Sequence, residues 1–172
     1  MREAVIVSTA RTPIGKAFRG AFNNTQAQEL GAHAILNAVQ RAGIDPALVE
    51  DVVIGCAAQQ GSSGGITARQ SLLRAGLPVT VSGMTIDRMC SSGLMAIATA
   101  AKQVVVDGMQ VTVGGGLESI SLVQSGKPNT HRARDPYLME HIPALYMAMI
   151  ETAEIVADRY GISREAQDEY SV

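Results

Sequence analysis

The chain has 172 residues, a length that fits one domain or one domain with part of another. Hydrophobic residues make up 47% and aromatic residues only 3%, so the core has to be built from Ala, Val, Ile, Leu and Met. The formal net charge of −2 argues against non-specific nucleic-acid binding, and no apolar run nears the length of a membrane span. We therefore expect neither a nucleic-acid nor a membrane partner.

The two cysteines, Cys56 and Cys90, show neither a metal-ligand spacing nor a disulfide framework. The N-terminus carries too short an apolar stretch for a signal peptide. We expect a reducing, cytoplasmic setting and no bound metal.

The predicted elements alternate between strand and helix along the chain. Buried strands are predicted over 4–8, 52–57, 81–86 and 110–113. Helices are predicted over 26–42, 46–50, 66–75, from Cys90 to before Gly108, over 144–160 and after Ser163. Thr25 and Gln28 predict a capping box at the start of the first helix. This alternation is typical of an α/β fold with a mainly parallel sheet and helices on both faces.

The segment from Met89 to Ala101 contains no charged side chain, which predicts a helix buried on all sides. Cys90 lies where a strand meets the N-terminus of this helix. Unpaired N–H groups and the helix dipole favour a thiolate there and can stabilise the oxyanion of an acyl intermediate. Cys90 is therefore a candidate nucleophile for acyl transfer, and its backbone N–H is a candidate oxyanion donor. The alternative is a buried, inert cysteine.

Two other features favour structural roles. Cys56 lies near the end of a predicted buried strand, with no base or helix start close in sequence, which predicts a structural thiol. The triple glycine at 114–116 follows a strand but does not match G-x-G-x-x-G. We expect it to allow close packing against the Cys90 helix, in preference to binding phosphate. Between Leu122 and Pro143 the composition turns polar and loses its period, which predicts a long loop.

Four segments resemble the thiolases, the acyl-CoA C-acyltransferases, and occur in the order of that family. They are R-T-P-I-G at 11–15, D-R-M-C-S-S-G-L-M-A-I at 87–97, G-G-G-L-E-S-I-S at 114–121 and S-R-E-A-Q-D-E-Y-S at 163–171. One departure is Asp87, where the family often has Asn. The resemblance covers essentially the whole chain.

The resemblance implies a thiolase-like layered α/β/α half with a mainly parallel mixed sheet around a buried helix. Residues 1–121 would form this N-terminal core half, and 122–172 would begin a loop domain that contributes to coenzyme A binding and subunit contacts. Lys127, Arg132 and Arg134 could meet phosphate groups or a neighbouring subunit in that loop domain. A homodimer or homotetramer is implied.

The resemblance also implies acyl transfer between acyl-CoA thioesters through an acyl-enzyme on Cys90. Acyl-CoA and coenzyme A are then substrates, and no cofactor is expected. Met149 is placed near the acyl site, followed by Ile150 where the family commonly has Gly. Glu118 and Ser119 belong to the frame of the family fold and not to its chemistry.

Thiolase chemistry also needs a base and a group that removes a proton next to a carbonyl. The sequence has no G-H-P motif and no second cysteine in a C-x-G pattern, which the family carries in its C-terminal half. We therefore expect that half to be absent and this chain to be inactive alone. Two alternatives stay open, a ketoacyl-synthase-type condensing enzyme and a non-catalytic thiolase-like protein that binds acyl-CoA.

Overall fold

The computed structural model describes residues 2–126 and 128–172. The chain divides into two compact units, Met1–Pro128 and Asn129–Val172. The predicted change of composition at Leu122 comes shortly before this division. The assignment of 1–121 to a core half and of 122–172 to a loop domain stays a prediction.

A parallel three-stranded sheet with the order β2–β1–β3 forms the centre of the first unit. Its strands are β1 (Asp51–Gly55), β2 (Ser82–Ile86) and β3 (Thr112–Gly116). Asp51 is in register with Ser82 on one side and with Thr112 on the other. Every residue of the central strand β1 is buried, as its Val- and Ile-rich run predicts for a strand covered on both faces.

Helices cover both faces of this sheet. The α-helices of the first unit are α1 (Ala27–Ala42), α2 (Thr67–Arg74), α3 (Ser92–Lys102) with a π-helical turn at Gln103–Asp107, and α4 (Ile120–Val123). Short 3-10 helices lie at Pro46–Leu48, within the helix predicted over 46–50, and at Gly61–Ser63. Val52 and Ile54 of β1 pack in the core that contains α1 and α2. Val53 points to the opposite face and packs against Ala96 and Ala100 of α3. The predicted α/β fold with a parallel sheet and helices on both faces is confirmed.

The strand predicted over residues 4–8 is not part of the sheet. Val5, Ile6 and Val7 are between 73% and 78% exposed, and the segment forms no strand within the described part of the chain. Its composition satisfies strand propensity, but a strand also needs a neighbour that supplies N–H and C=O groups. The prediction was wrong because strand propensity depends on local sequence, whereas strand pairing depends on a neighbouring segment that is distant in the sequence.

The start of α1 also differs from the prediction. Gln26 is its N-cap and makes no side-chain capping hydrogen bond, so the capping box of Thr25 and Gln28 does not form. Gln28 instead donates to the carbonyl of Ser62 and to the side chain of Gln70. The Gln28 side chain therefore binds distant residues and not the backbone at the start of its own helix.

The second unit contains one short helix within the predicted long loop, and two further helices in the segments for which helices were predicted. Its elements are α5 (Pro136–His141), a 3-10 turn at Pro143–Tyr146, α6 (Met149–Tyr160) and α7 (Arg164–Ser171). Asp135 caps α5 by accepting hydrogen bonds from the backbone N–H groups of Tyr137 and Leu138. The single helix predicted over 144–160 is divided because Met147 and Ala148 are extended, which apolar spacing does not reveal.

The helical stretch Met89–Asp107 corrects two predictions. It has 19 residues, a mean hydropathy of 1.4 and two charged residues, Lys102 and Asp107, so by length and composition it could cross a membrane, contrary to the expectation that no apolar run nears that length. A core helix of a soluble protein satisfies the same criterion. Only 17% of the stretch is buried, and Leu94 is 72% exposed, so the helix is not buried on all sides in this chain. One face, which includes Ala96 and Ala100, meets the sheet, and the opposite face has no partner among the described residues.

Candidate active site

Cys90 lies in a tight turn between β2 and α3. The preceding residue, Met89, has φ = 49°, a left-handed conformation that non-glycine residues seldom adopt. The side chain of Asp87 accepts a hydrogen bond from the Met89 N–H at 2.7 Å. Ser92 accepts from the N–H of Arg88 at 2.7 Å and donates to the Met89 carbonyl at 2.6 Å. These side chains from both sides of the turn offset the cost of the strained residue.

The thiol of Cys90 is exposed, just before the N-terminus of α3. A strand end meets a helix start here, as predicted, but the helix was predicted to begin at Cys90 itself and begins at Ser92, after the N-cap residue Ser91. Two amides of the turn are already used, since Ser91 donates to the Arg88 carbonyl and Ser92 to the Met89 carbonyl, both at 3.1 Å. An oxyanion at Cys90 therefore needs other donors, of which the Cys90 N–H is the predicted one.

Three glycines let α3 lie directly on the strand ends. A Cβ on Gly55 would overlap the backbone between Ser92 and Gly93, and a Cβ on Gly116 would lie 2.9 Å from the Gly93 Cα. A Cβ on Gly114 would lie 2.8 Å from the Cα of Ile97. The prediction that the triple glycine allows close packing against the Cys90 helix is confirmed. The first turn of this helix rests on the carboxyl ends of β1 and β3.

Cys56 differs from Cys90 in its exposure to solvent. Its side chain is fully buried at the end of β1, and its thiol faces the carboxylate of Glu118 at 3.8 Å. Burial raises the pKa of the Cys56 thiol to about 11, and the charge of Glu118 adds to the shift. The prediction of a structural thiol is confirmed.

Glu118 is the residue whose contacts sequence analysis missed. Besides the Cys56 thiol, its carboxylate accepts hydrogen bonds from the backbone N–H groups of Ala57 and Ala58. A signal for these contacts did exist. Carboxyl ends of neighbouring parallel strands meet at one edge of a sheet, and Glu118 follows one strand while Cys56 follows another.

The predicted roles of Met149 and of the basic residues of the predicted loop domain stay predictions. Met149 is the first residue of α6 in the second unit and is 69% exposed, and its contact with an acyl group stays a prediction. Arg134 lies 5.6 Å from the ring centroid of Tyr146, Arg132 is exposed, and Lys127 lies outside the described residues. Across residues 2–126 and 128–172, no cluster of three or more His, Cys, Asp or Glu side chains could hold a metal ion.

Residues 4–172 match the family model described as the thiolase N-terminal domain. The chain belongs to the thiolase family. It is 42% identical to a 3-ketoacyl-CoA thiolase of Bacillus subtilis, an alignment that covers 100% of this chain and 44% of that protein. It is 38% identical to an acetyl-CoA acetyltransferase of Cupriavidus necator, with 100% of this chain and 46% of that protein covered.

The fold of the chain is that of a solved thiolase-family protein. The crystal structure of the Bacillus anthracis acetyl-CoA acetyltransferase matches 98% of this chain and 45% of its own chain, with 37% identity and a TM-score of 0.80. The predicted thiolase-like fold is thus confirmed. The chain spans less than half the length of the relatives that it matches, and the match is to the N-terminal part of the family.

Proposed function

We propose that this chain carries the acyl-accepting cysteine, Cys90, of an acyltransferase that acts on acyl-CoA thioesters. One observation carries the proposal. In a chain that matches the thiolase N-terminal domain over 4–172, an exposed thiol is presented by a strained and braced turn at the start of a helix. The names of the relatives, 3-ketoacyl-CoA thiolase and acetyl-CoA acetyltransferase, support thiolytic cleavage of 3-ketoacyl-CoA or Claisen condensation of acetyl-CoA.

In the first step the Cys90 sulfur attacks the carbonyl carbon of the thioester. A new carbon–sulfur bond forms as the bond to the coenzyme A sulfur breaks. Coenzyme A leaves as a thiolate and takes up the proton that Cys90 has lost. Backbone N–H groups, with that of Cys90 among them, stabilise the negative charge that develops on the carbonyl oxygen.

The second step needs a thiol that removes an α-proton from acetyl-CoA, so that the carbanion attacks the acyl group. Cys56 is a poor candidate because it is buried and holds its proton to about pH 11. We therefore propose that turnover depends on a complementary C-terminal half that supplies this thiol and a base. The chain alone would accept one acyl group slowly, because the base that activates Cys90 is missing, and would not turn over. The complete cytoplasmic enzyme would be a homodimer or homotetramer that uses coenzyme A as substrate, needs no cofactor and contacts the acyl group through Met149.

The test is to incubate the chain with acetyl-CoA and to measure its intact mass and the modified peptide. We expect the mass of one acetyl group on the peptide that contains Cys90. Cys90→Ala should remove this product, whereas the matched variant Cys56→Ser should retain it. Acetylation that persists in Cys90→Ala would show that another residue is the acceptor. No acetylation of the wild-type chain would favour the non-catalytic alternative, and steady-state thiolysis of acetoacetyl-CoA by this chain would contradict its inactivity alone.

A further inference from the structure

Glu118 links the ends of two strands of the sheet. It follows β3, and its carboxylate accepts hydrogen bonds from the N–H groups of Ala57 and Ala58, which follow β1. The Leu117 N–H also donates to the carbonyl of Gly55 at 3.0 Å. Because hydrogen bonds to an ionised carboxylate are stronger than those between neutral groups, these contacts hold the ends of β1 and β3 together.

The Cys56 thiol supports the same link. It donates to one oxygen of Glu118, with a sulfur–oxygen distance of 3.8 Å. A thiolate at this position would repel the carboxylate. Because burial raises the pKa of the Cys56 thiol to about 11, the thiol keeps its proton near neutral pH and donates a hydrogen bond to Glu118.

The two strand ends that Glu118 joins are also the surface on which the first turn of α3 rests. Gly55 lies against the backbone of Ser92 and Gly93, and Gly116 lies against the Gly93 Cα. The contact is between backbones, with no side chain to absorb a shift. A displacement of either strand end therefore moves the start of α3, and the turn that holds Cys90 with it.

We propose that Glu118 is a positioning residue for acyl transfer, which holds the ends of β1 and β3 together and thereby fixes the backbone around Cys90. The proposal rests on the proposed function, in which Cys90 accepts the acyl group. Oxyanion stabilisation depends on donors held at hydrogen-bonding distance, and misplacement by about 1 Å costs on the order of a hundredfold in rate. Simple alkylation of the same sulfur needs no oxyanion donor.

The experiment compares two reactions of Cys90 in wild type, Glu118→Ala and Glu118→Gln. One reaction is acetylation by acetyl-CoA, and the other is alkylation by iodoacetamide, each followed by mass spectrometry. We expect Glu118→Ala to slow acetylation by about ten- to a hundredfold and to change the alkylation rate by less than about twofold. Glu118→Gln should recover part of the acetylation rate because its amide oxygen still accepts from the Ala57 N–H.

The outcomes separate this proposal from the proposed function. If the wild-type chain is acetylated on Cys90 and both Glu118 variants match its rate, Glu118 does not position the turn. If either variant slows both reactions equally, Glu118 acts only on overall stability, and the proposal is wrong. A wild-type chain that is alkylated but never acetylated would overturn the proposed function and this proposal together. Should Glu118→Ala not fold, the ratio of the two rates in Glu118→Gln decides.

Discussion

The two cysteines of this protein follow neighbouring parallel strands, yet their surroundings are opposite. Cys56 follows β1, is fully buried and faces a carboxylate. Cys90 follows β2 and is exposed in a turn that hydrogen bonds from Asp87 and Ser92 brace. The difference shows that the position of a residue along the chain does not decide the role of a thiol. What decides it is whether the backbone directs the sulfur into the core or out of it.

The largest expected effect is in the labelling of the two thiols. At pH 8 iodoacetamide should alkylate Cys90 of the folded chain at least about a hundredfold faster than Cys56. Cys56 is 0% exposed, and with its pKa at about 11 only about one of its thiols in a thousand is ionised at that pH. Peptide mass spectrometry over time gives both rates.

Two controls make the labelling comparison decisive. In Cys90→Ala the folded chain should take up almost no label, and in denaturant Cys56 should react as an ordinary thiol. Similar rates at both positions in the folded chain would show that Cys56 is accessible and would remove the contrast between the two sites.

An intermediate effect is expected where α3 lies on the sheet. Gly114→Ala should lower the free energy of unfolding by about 1–3 kcal/mol, because the new Cβ would lie 2.8 Å from the Ile97 Cα and 3.0 Å from the Ala100 Cβ. Gly115→Ala is the matched variant, since its Cβ would meet only the Ile54 Cδ1 at 3.9 Å. It should change the stability by less than about 0.5 kcal/mol. Urea unfolding measures both, and equal effects would mean that α3 does not pack as described.

The smallest expected effect is the part of the pH dependence of the free energy of unfolding that comes from the Cys56 thiol. The pKa of its thiol is raised to about 11 in the folded chain, whereas an unfolded cysteine ionises near pH 9. Between these values the folded state keeps a proton that the unfolded state has lost, so the free energy of unfolding falls as the pH rises. The slope of the free energy of unfolding against pH stays below about 1.4 kcal/mol per pH unit in this range and vanishes below about pH 8.

Tyrosine and lysine side chains also titrate in alkali, so a difference measurement is needed. Urea unfolding of wild type and of Cys56→Ser at pH 8, 9 and 10 isolates the thiol, because serine does not ionise there. We expect the wild-type stability to fall relative to that of the variant. Parallel pH profiles would show that the Cys56 thiol has no raised pKa.

Much of the candidate site was predictable because its signals are local. The uncharged run after Met89 predicted the helix, and its junction with a strand predicted the location of Cys90. The triple glycine predicted close packing of backbones, which the contacts of Gly114 and Gly116 confirm. The exposure of Cys90 and of Leu94 was not predictable, because apolar composition does not tell which faces of a helix find a partner.

The contacts of Glu118 were only partly predictable. Its place after one strand and that of Cys56 after another predict that the two residues lie at the same edge of the sheet, but no local pattern shows that the carboxylate meets a thiol 62 positions away. Only the pairing of β1 with β3 brings them to the same edge of the sheet.

By itself, the sequence determined the alternation of strands and helices, the family resemblance and the turn between strand and helix at Cys90. These features depend on the propensities and the spacing of residues that lie within a few positions of one another, and both can be read from the sequence. Only the tertiary structure decided that the Val- and Ile-rich run over 51–55 becomes the central strand while that over 4–8 stays outside the sheet. It also decided which thiol is buried and which is exposed, because both outcomes depend on partners contributed by distant segments.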